Sequence, residues 1–153
     1  HDSGLRRATL DELVDELLAQ WQIARPEVRL AVDRGPGLAE LLVEYDQSLL
    51  HALLNLLHNA ADASPDAVTL QAGADGDRAL LVVEDRGAGI PADIAEALGR
   101  RFVSRKDGGL GLGVLLSSAS IERLDGEATV REREGGGTRW EIRLPASNAP
   151  PRT

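Results

Sequence analysis

The stretch from Asp46 to Pro65 limits the architecture of this chain more than any other. Gln47 to Ala63 reads as a helix, with Asp46 placed to cap its first turn and Pro65 placed to stop it. At 100° per residue, Leu49, Leu50, Leu53, Leu54, Leu56, Leu57 and Ala60 cover most of the circumference. His51, Asn55, His58, Asn59 and Asp62 share one arc of roughly a hundred degrees. A helix of this kind is buried on most sides and crossed by a single narrow polar stripe.

The remaining segments supply what can bury it. Leu10, Leu13, Leu17 and Trp21 fall at helical spacing, so Leu10 to Trp21 is expected to be an amphipathic helix. Val28 to Val32 alternates like a strand and runs into the turn Asp33–Gly37, and Leu41 to Val43 reads as another short strand. Val68 to Ala72 and Arg78 to Glu84 form a hairpin through Gly73–Asp77. A second hairpin pairs Glu127 to Arg133 with Thr138 to Leu144, placing Trp140, Ile142 and Leu144 inward and Arg139, Glu141 and Arg143 toward water. Between the hairpins lie a short helical piece ending near Leu98, a polar basic loop from Gly99 to Gly109, and a helix from Gly111 to Leu124 closed by Gly126. Strand hairpins with helices laid across one face imply an α/β two-layer sandwich with a mostly antiparallel sheet. One domain over residues 1–145 and a disordered tail over 146–153 account for the 153 residues.

Composition removes several function classes. Seventeen Lys and Arg against 25 Asp and Glu give a net charge of −8, which lacks the basic footprint that a nucleic-acid partner requires. With no cysteine there is no thiolate nucleophile, no disulfide framework and no zinc knuckle. No apolar run approaches the roughly 18 residues of a membrane helix, so the chain is expected to be soluble and to make no membrane contact. A sequence that opens on His1 and has no methionine is expected to be an excised or processed piece.

Five features carry chemistry, although each alone also fits a bland structural reading. Solvated helix faces generally use Lys, Glu and Arg, whereas the two asparagines of the stripe cost helix propensity without adding solubility. Their carbonyl oxygens suit a hard cation such as Mg²⁺, which takes its other ligands from water and phosphates. In DRGAGI, a strand delivers Asp85 at its end, and Gly87 and Gly89 permit close approach of a flat ligand. An aspartate there accepts a hydrogen bond from an exocyclic amine such as adenine N6 and repels the carbonyl of guanine; otherwise the segment is an Asp-rich turn. GGLGLGVLL exposes helix-opening amides to an anion, but Gly109, Gly111 and Gly113 fit neither a dinucleotide fingerprint nor a P-loop. RRFVSRKDGG gathers Arg100, Arg101, Arg105 and Lys106, the only lysine, around Phe102, the only phenylalanine; this suits a lid over phosphates or a plain solvated run. Gly135–Gly137 and Thr138 open the last strand.

In this order the set resembles the catalytic and ATP-binding domain of bacterial sensor histidine kinases, within the superfamily of gyrase, Hsp90, histidine kinase and MutL that shares the Bergerat fold. NLLHNAADAS resembles its N box, DRGAGI and GGLGLG its two glycine boxes, RRFVSRK its F box, and GGGT its final element, over roughly Leu10 to Pro145. The wording of the lid is similar to the redox-responding RegB type, for which no cysteine is present. The resemblance implies ATP and Mg²⁺ as ligands, Asn59 as the metal ligand and Asn55 on the phosphate side. It also implies Asp85 on the adenine amine and Thr138 beside the base. Gly87, Gly89, Ile90, Gly109, Leu110, Gly111 and Leu112 would shape the pocket, Phe102 would pin the lid, and Arg105 or Lys106 would meet phosphate. Many members carry a lysine where this chain has Asp62, so phosphate neutralisation would lean on the lid.

The expected activity is transfer of the ATP γ-phosphoryl group to a histidine on a separate dimerisation domain, and indirectly to a response regulator. His1, His51 and His58 do not suit the acceptor role. Clamp ATPases of the superfamily place a glutamate base one turn before the metal-binding asparagine; Asn55 stands there, which disfavours steady hydrolysis. The alternatives are a stand-alone kinase of the anti-sigma type, acting on serine, and a nucleotide-sensing module without catalysis. The expected location is the cytoplasm, with the full-length protein anchored in the inner membrane as one form.

Overall fold

The computed structural model describes residues 4–87 and 119–148. Strand β1 (Arg6–Thr9) leads directly into helix α1 (Leu10–Ala24). Thr9 caps that helix reciprocally: its hydroxyl accepts the Glu12 N–H at 3.1 Å while the Glu12 carboxylate accepts the Thr9 N–H at 2.8 Å. Strand β2 (Leu30–Arg34), a 3₁₀ turn (Leu38–Glu40) and β3 (Leu41–Tyr45) follow, then helix α2 (Gln47–Ala63). The hairpin of β4 (Val68–Asp75) and β5 (Arg78–Asp85) comes next; later come the hairpin of β6 (Glu127–Glu132) and β7 (Thr138–Pro145), and the two-residue β8 (Ser147–Asn148).

These strands form a five-stranded sheet in the order β2-β4-β5-β7-β6 and a three-stranded sheet in the order β1-β3-β8. All pairings are antiparallel except β2 with β4, which meets the expectation of a mostly antiparallel sheet. Period-two alternation sorts the larger sheet. Leu81, Val83, Trp140, Ile142 and Leu144 are buried on its inner face, where they join Leu13, Leu17 and Trp21 of α1 and Leu50, Leu53 and Leu57 of α2 in one core. Arg131, Arg139, Glu141 and Arg143 point outward, and Glu141 ties the other three together through contacts of 2.7 to 3.3 Å. Both helices therefore cover one face, giving the α/β two-layer sandwich.

Four expectations need correcting. Strand β1 was not expected; its sequence, RRAT, has no apolar alternation and is held by main-chain pairing with β3. Ser147 and Asn148 pair with Leu42 and Leu41, so the start of the tail expected to be disordered is a strand. Helix α1 runs past Trp21 to Ala24, although Ile23 is 83% exposed and adds nothing to the apolar pattern. Residues 119–123 are helical, and the left-handed residue behind them is Asp125 (φ 62°) and not Gly126, Asp being one of the few side chains that tolerate that region.

Candidate functional site

Helix α2 is fixed at both ends. At its start the buried Asp46 carboxylate accepts the Leu49 N–H at 3.0 Å and the Arg123 guanidinium at 2.8 Å. Burial opposes ionisation of Asp46, but the backbone donors and Arg123 outweigh it and hold the carboxyl below its usual range. At the other end Ser64 caps the helix, its N–H donating to Ala60 and its hydroxyl to the Ala67 carbonyl at 3.3 Å. The same hydroxyl accepts the Arg86 N–H at 3.2 Å, which joins the end of α2 to the turn that follows β5.

That turn is closely packed from two sides. A Cβ on Gly87 would come within 2.7 Å of the Ala63 Cβ and 2.9 Å of the Ala63 carbonyl oxygen. On the opposite side Gly137, at φ 106°, lies so close that a Cβ there would overlap the Asp85 carbonyl oxygen and sit 2.8 Å from the Arg86 Cα. The run Gly135–Gly137 is thus more than the connection of a hairpin: its last member permits a backbone approach that no other residue allows.

Between these contacts lies Asp85, 5% exposed, opposite Thr138, 7% exposed, at the last rung of the β5–β7 ladder. The Asp85 carboxylate accepts the Gly87 N–H at 2.9 Å. Desolvation pushes its carboxyl above the usual carboxylate range, against the stabilising N–H groups of Gly87 and Thr138. Among the described residues no cation pairs with Asp85. It is a buried acceptor with spare lone pairs, and burial of this kind is unfavourable unless a donor fills it.

The stripe of α2 is arranged as the periodicity predicts. Asn55 and Asp62 are exposed and Asn59 and His58 half-buried, whereas Leu53, Leu56, Leu57 and Ala60 are buried. Neither asparagine carboxamide has a hydrogen-bond partner among the described residues. Their oxygens, one turn apart on the same face, suit a hard cation that arrives with its own water and phosphate ligands. No group of three or more His, Asp or Glu among the described residues could hold a metal by itself. His58 and Asp62 are instead engaged by Arg25 from the end of α1, at 3.2 and 3.3 Å.

The structure brings Asp85, Gly87 and Thr138 together at the end of α2, while Asn55, Asn59 and Asp62 lie along one face of that helix. Gly89, Ile90, Phe102, Arg105, Lys106, Gly109, Leu110, Gly111 and Leu112 lie outside the described residues, as does the RegB-like lid wording. Sequence reasoning missed Ser64 and Arg25. A serine directly after a helix and before Pro65 is a capping signal; nothing in the sequence marks Arg25, whose partners are 33 and 37 residues away. Two clefts, ≈490 Å³ around Arg7 and Leu42 and ≈550 Å³ around Glu84 and Arg133, are lined by no residue of α2. The second of these has its arginines committed to carboxylates.

The fold is that of an ATP-binding module of the histidine kinase type. The model of the histidine kinase-, DNA gyrase B- and HSP90-like ATPase family matches residues 44–148, and the chain belongs to this family. It is 34% identical over 138 residues to sporulation kinase E of Bacillus subtilis, covering 88% of this chain and 18% of that protein. To the alginate biosynthesis sensor protein KinB of Pseudomonas aeruginosa it is 36% identical over 157 residues, covering 95% of this chain and 26% of that one. The chain therefore spans about a fifth to a quarter of these relatives. A mycobacterial sensor histidine kinase, MprB, superposes with a TM-score of 0.69 at 27% identity, over 94% of this chain and 99% of the solved one.

Proposed function

We propose that this chain binds ATP with Mg²⁺ at the α2–β5–β7 end and serves as the catalytic domain of a sensor histidine kinase. Its relatives are named as kinases and sensor proteins, which favours this over a serine kinase of the anti-sigma type. The observation that carries the reading is the buried Asp85, which no cation meets among the described residues, on a turn packed against the end of the helix that bears Asn55 and Asn59.

In this reading Asp85 accepts the adenine amine, and Thr138, its neighbour on β7, supports the base. An anionic acceptor in a buried site rejects guanine, whose carbonyl would leave the carboxylate unpaired. Asn59 supplies a carbonyl oxygen to the metal and Asn55 lines the phosphate side. Magnesium, when bound, offsets charge that builds on the phosphate oxygens. Arg105 and Lys106 are the sequence candidates for further neutralisation, Gly89, Ile90, Gly109, Leu110, Gly111 and Leu112 for the pocket wall, and Phe102 for the lid. Asn55 stands where a base would have to abstract a proton from water; an amide cannot, so the γ-phosphoryl group is kept for a positioned acceptor. That acceptor is a histidine on a separate dimerisation domain, and a response regulator is the downstream recipient. Among the described residues no helix is long and apolar enough to cross a membrane; a cytoplasmic location, with any anchor elsewhere in the longer protein, belongs to the same proposal.

The test is phosphoryl transfer in trans. The chain is incubated with γ-labelled ATP, Mg²⁺ and a dimerisation domain from the same gene, and acid-labile, base-stable phosphate on that domain is measured. Nucleotide binding without any transfer would leave a nucleotide-sensing module; brisk hydrolysis by the chain alone would overturn the role given to Asn55.

A further inference from the structure

Arg25 is not one of the residues from which the proposed site is built, yet it sets the charge on one end of it. Its guanidinium leaves the end of α1 and crosses to α2, with its carbon 5.9 Å from the Trp21 ring centre. Nη1 lies 3.2 Å from His58 Nδ1 and 3.3 Å from Asp62 Oδ1, and Nε donates to Glu27 at 2.9 Å. Arginine can only donate, so His58 Nδ1 is an acceptor and its ring is neutral. Burial and the adjacent Arg25 charge both hold the His58 pKa below its usual value, in keeping with that geometry.

Asp62 is the residue that makes this arrangement consequential. It follows Asn59 by three positions and Asn55 by seven, so it stands on their face of the helix, and its side chain is 71% exposed. An uncompensated carboxylate there opposes a polyphosphate lying along the stripe. Among the described residues Arg25 is the only cation that touches the stripe. Its side chain is only 22% exposed and is braced by Trp21 and Glu27, and its Nη2 donates to no described residue. Holding a guanidinium in place by packing lowers the entropy lost when it neutralises a neighbour.

We propose that Arg25 is a positioning residue for the phosphate end of the nucleotide: it cancels the Asp62 charge and keeps the stripe open to a magnesium-bound triphosphate. The proposal rests on the nucleotide reading of the same site. It assigns Arg25 to the charged part of the ligand and not to the base.

Affinities for ATP in the presence of MgCl₂, and for adenosine, are measured by calorimetry and chemical-shift titration on the whole chain and on Arg25→Gln, Asp62→Asn and the double variant. Arg25→Gln is expected to weaken ATP binding about fivefold, the scale of a partly exposed charge pair, and to leave adenosine binding unchanged. Asp62→Asn frees the guanidinium and is expected to tighten ATP binding about threefold, and the double variant to return close to the parent. Asp62 is exposed, so its variant reports even if Arg25→Gln fails to fold. Unchanged ATP affinity in both single variants overturns the proposal, as does equal weakening of ATP and adenosine or a double variant no better than Arg25→Gln. If the parent chain binds neither ATP nor adenosine, the nucleotide reading itself fails and the proposal with it.

Discussion

Asp85 and Thr138 face each other at the final rung of the β5–β7 ladder, both buried, in a sheet whose outer face carries arginines paired to carboxylates. Every other inward position of these two strands down to Ala79 and Leu144 is apolar. A carboxylate placed there without a cation among the described residues costs stability, and in the proposed reading that cost serves adenine recognition. Asp85→Asn is therefore expected to act in opposite directions on the two. The folded-state pKa of Asp85 is raised, so its ionised form is penalised by folding and the penalty grows as pH rises through that value. At neutral pH the neutral asparagine should raise Tm in a thermal melt without ligand. Adenine nucleotide affinity should fall at least tenfold, as loss of a buried charged hydrogen bond of about 1.5–3 kcal/mol implies. A fluorescent-nucleotide titration that shows no loss removes Asp85 from the site.

The Asn59 carboxamide, without a hydrogen-bond partner among the described residues, leads to a metal-dependence test. Chelation of magnesium should weaken ATP binding to the parent chain by about tenfold or more, on the scale of one lost charge-assisted contact. Asn59→Ala should bind ATP with nearly the same affinity with and without the ion. If the variant keeps the full magnesium effect, the cation is held elsewhere.

Gly137 and Gly136 allow a controlled comparison, because both adopt positive φ but only one is crowded. A Cβ on Gly136 meets nothing within 4 Å, so Gly136→Ala should cost about 1–2 kcal/mol from backbone strain alone. Gly137→Ala adds an overlap with the Asp85 peptide and should cost about 1–3 kcal/mol more, with nucleotide binding lost in whatever remains folded. Urea unfolding of the two variants reads the difference directly; equal losses would mean that the hairpin yields without disturbing β5.

Asp46 governs the other end of α2. Asp46→Ala removes the cap and strands the Arg123 charge, with an expected cost of about 1–2 kcal/mol and a Tm lower by roughly 2–8 °C. The folded-state pKa of this carboxyl lies below its ordinary value of 3.8, so its contribution is present above that value and fades as pH falls through the lower one. Melts of parent and variant should accordingly converge in acid. A difference that persists unchanged down to pH 2 would assign the loss to packing.

How much of this was legible beforehand depended on whether a segment's own pattern determined its place. Helix α2 was readable in full, since Asp46, Pro65 and the leucines between them state its ends and its buried faces locally. The β7 alternation of Trp140, Ile142 and Leu144 with Arg139, Glu141 and Arg143 was equally plain. Strand β1 was not readable, because Arg6, Arg7, Ala8 and Thr9 pair with β3 through main-chain groups that every residue possesses. The parallel match of β2 to β4 was hidden for the same reason. At the site, the asparagines stood out because they cost helix propensity without adding solubility, and Asp85 because a strand delivers it just before two glycines, whereas Gly137 looked like an ordinary turn because its crowding comes from a strand more than 50 residues earlier. Arg25 resembled any surface arginine; its meaning is created by the approach of α1 to α2.

The turn after β5 is held closely by its neighbours: Ala63 packs against Gly87, Gly137 against the Asp85 peptide, and the Ser64 hydroxyl accepts the Arg86 N–H. Added bulk at position 87 or 137 would therefore push Asp85 out of place. In the proposed reading, the choice of purine thus depends on how closely two glycines let the main chain approach.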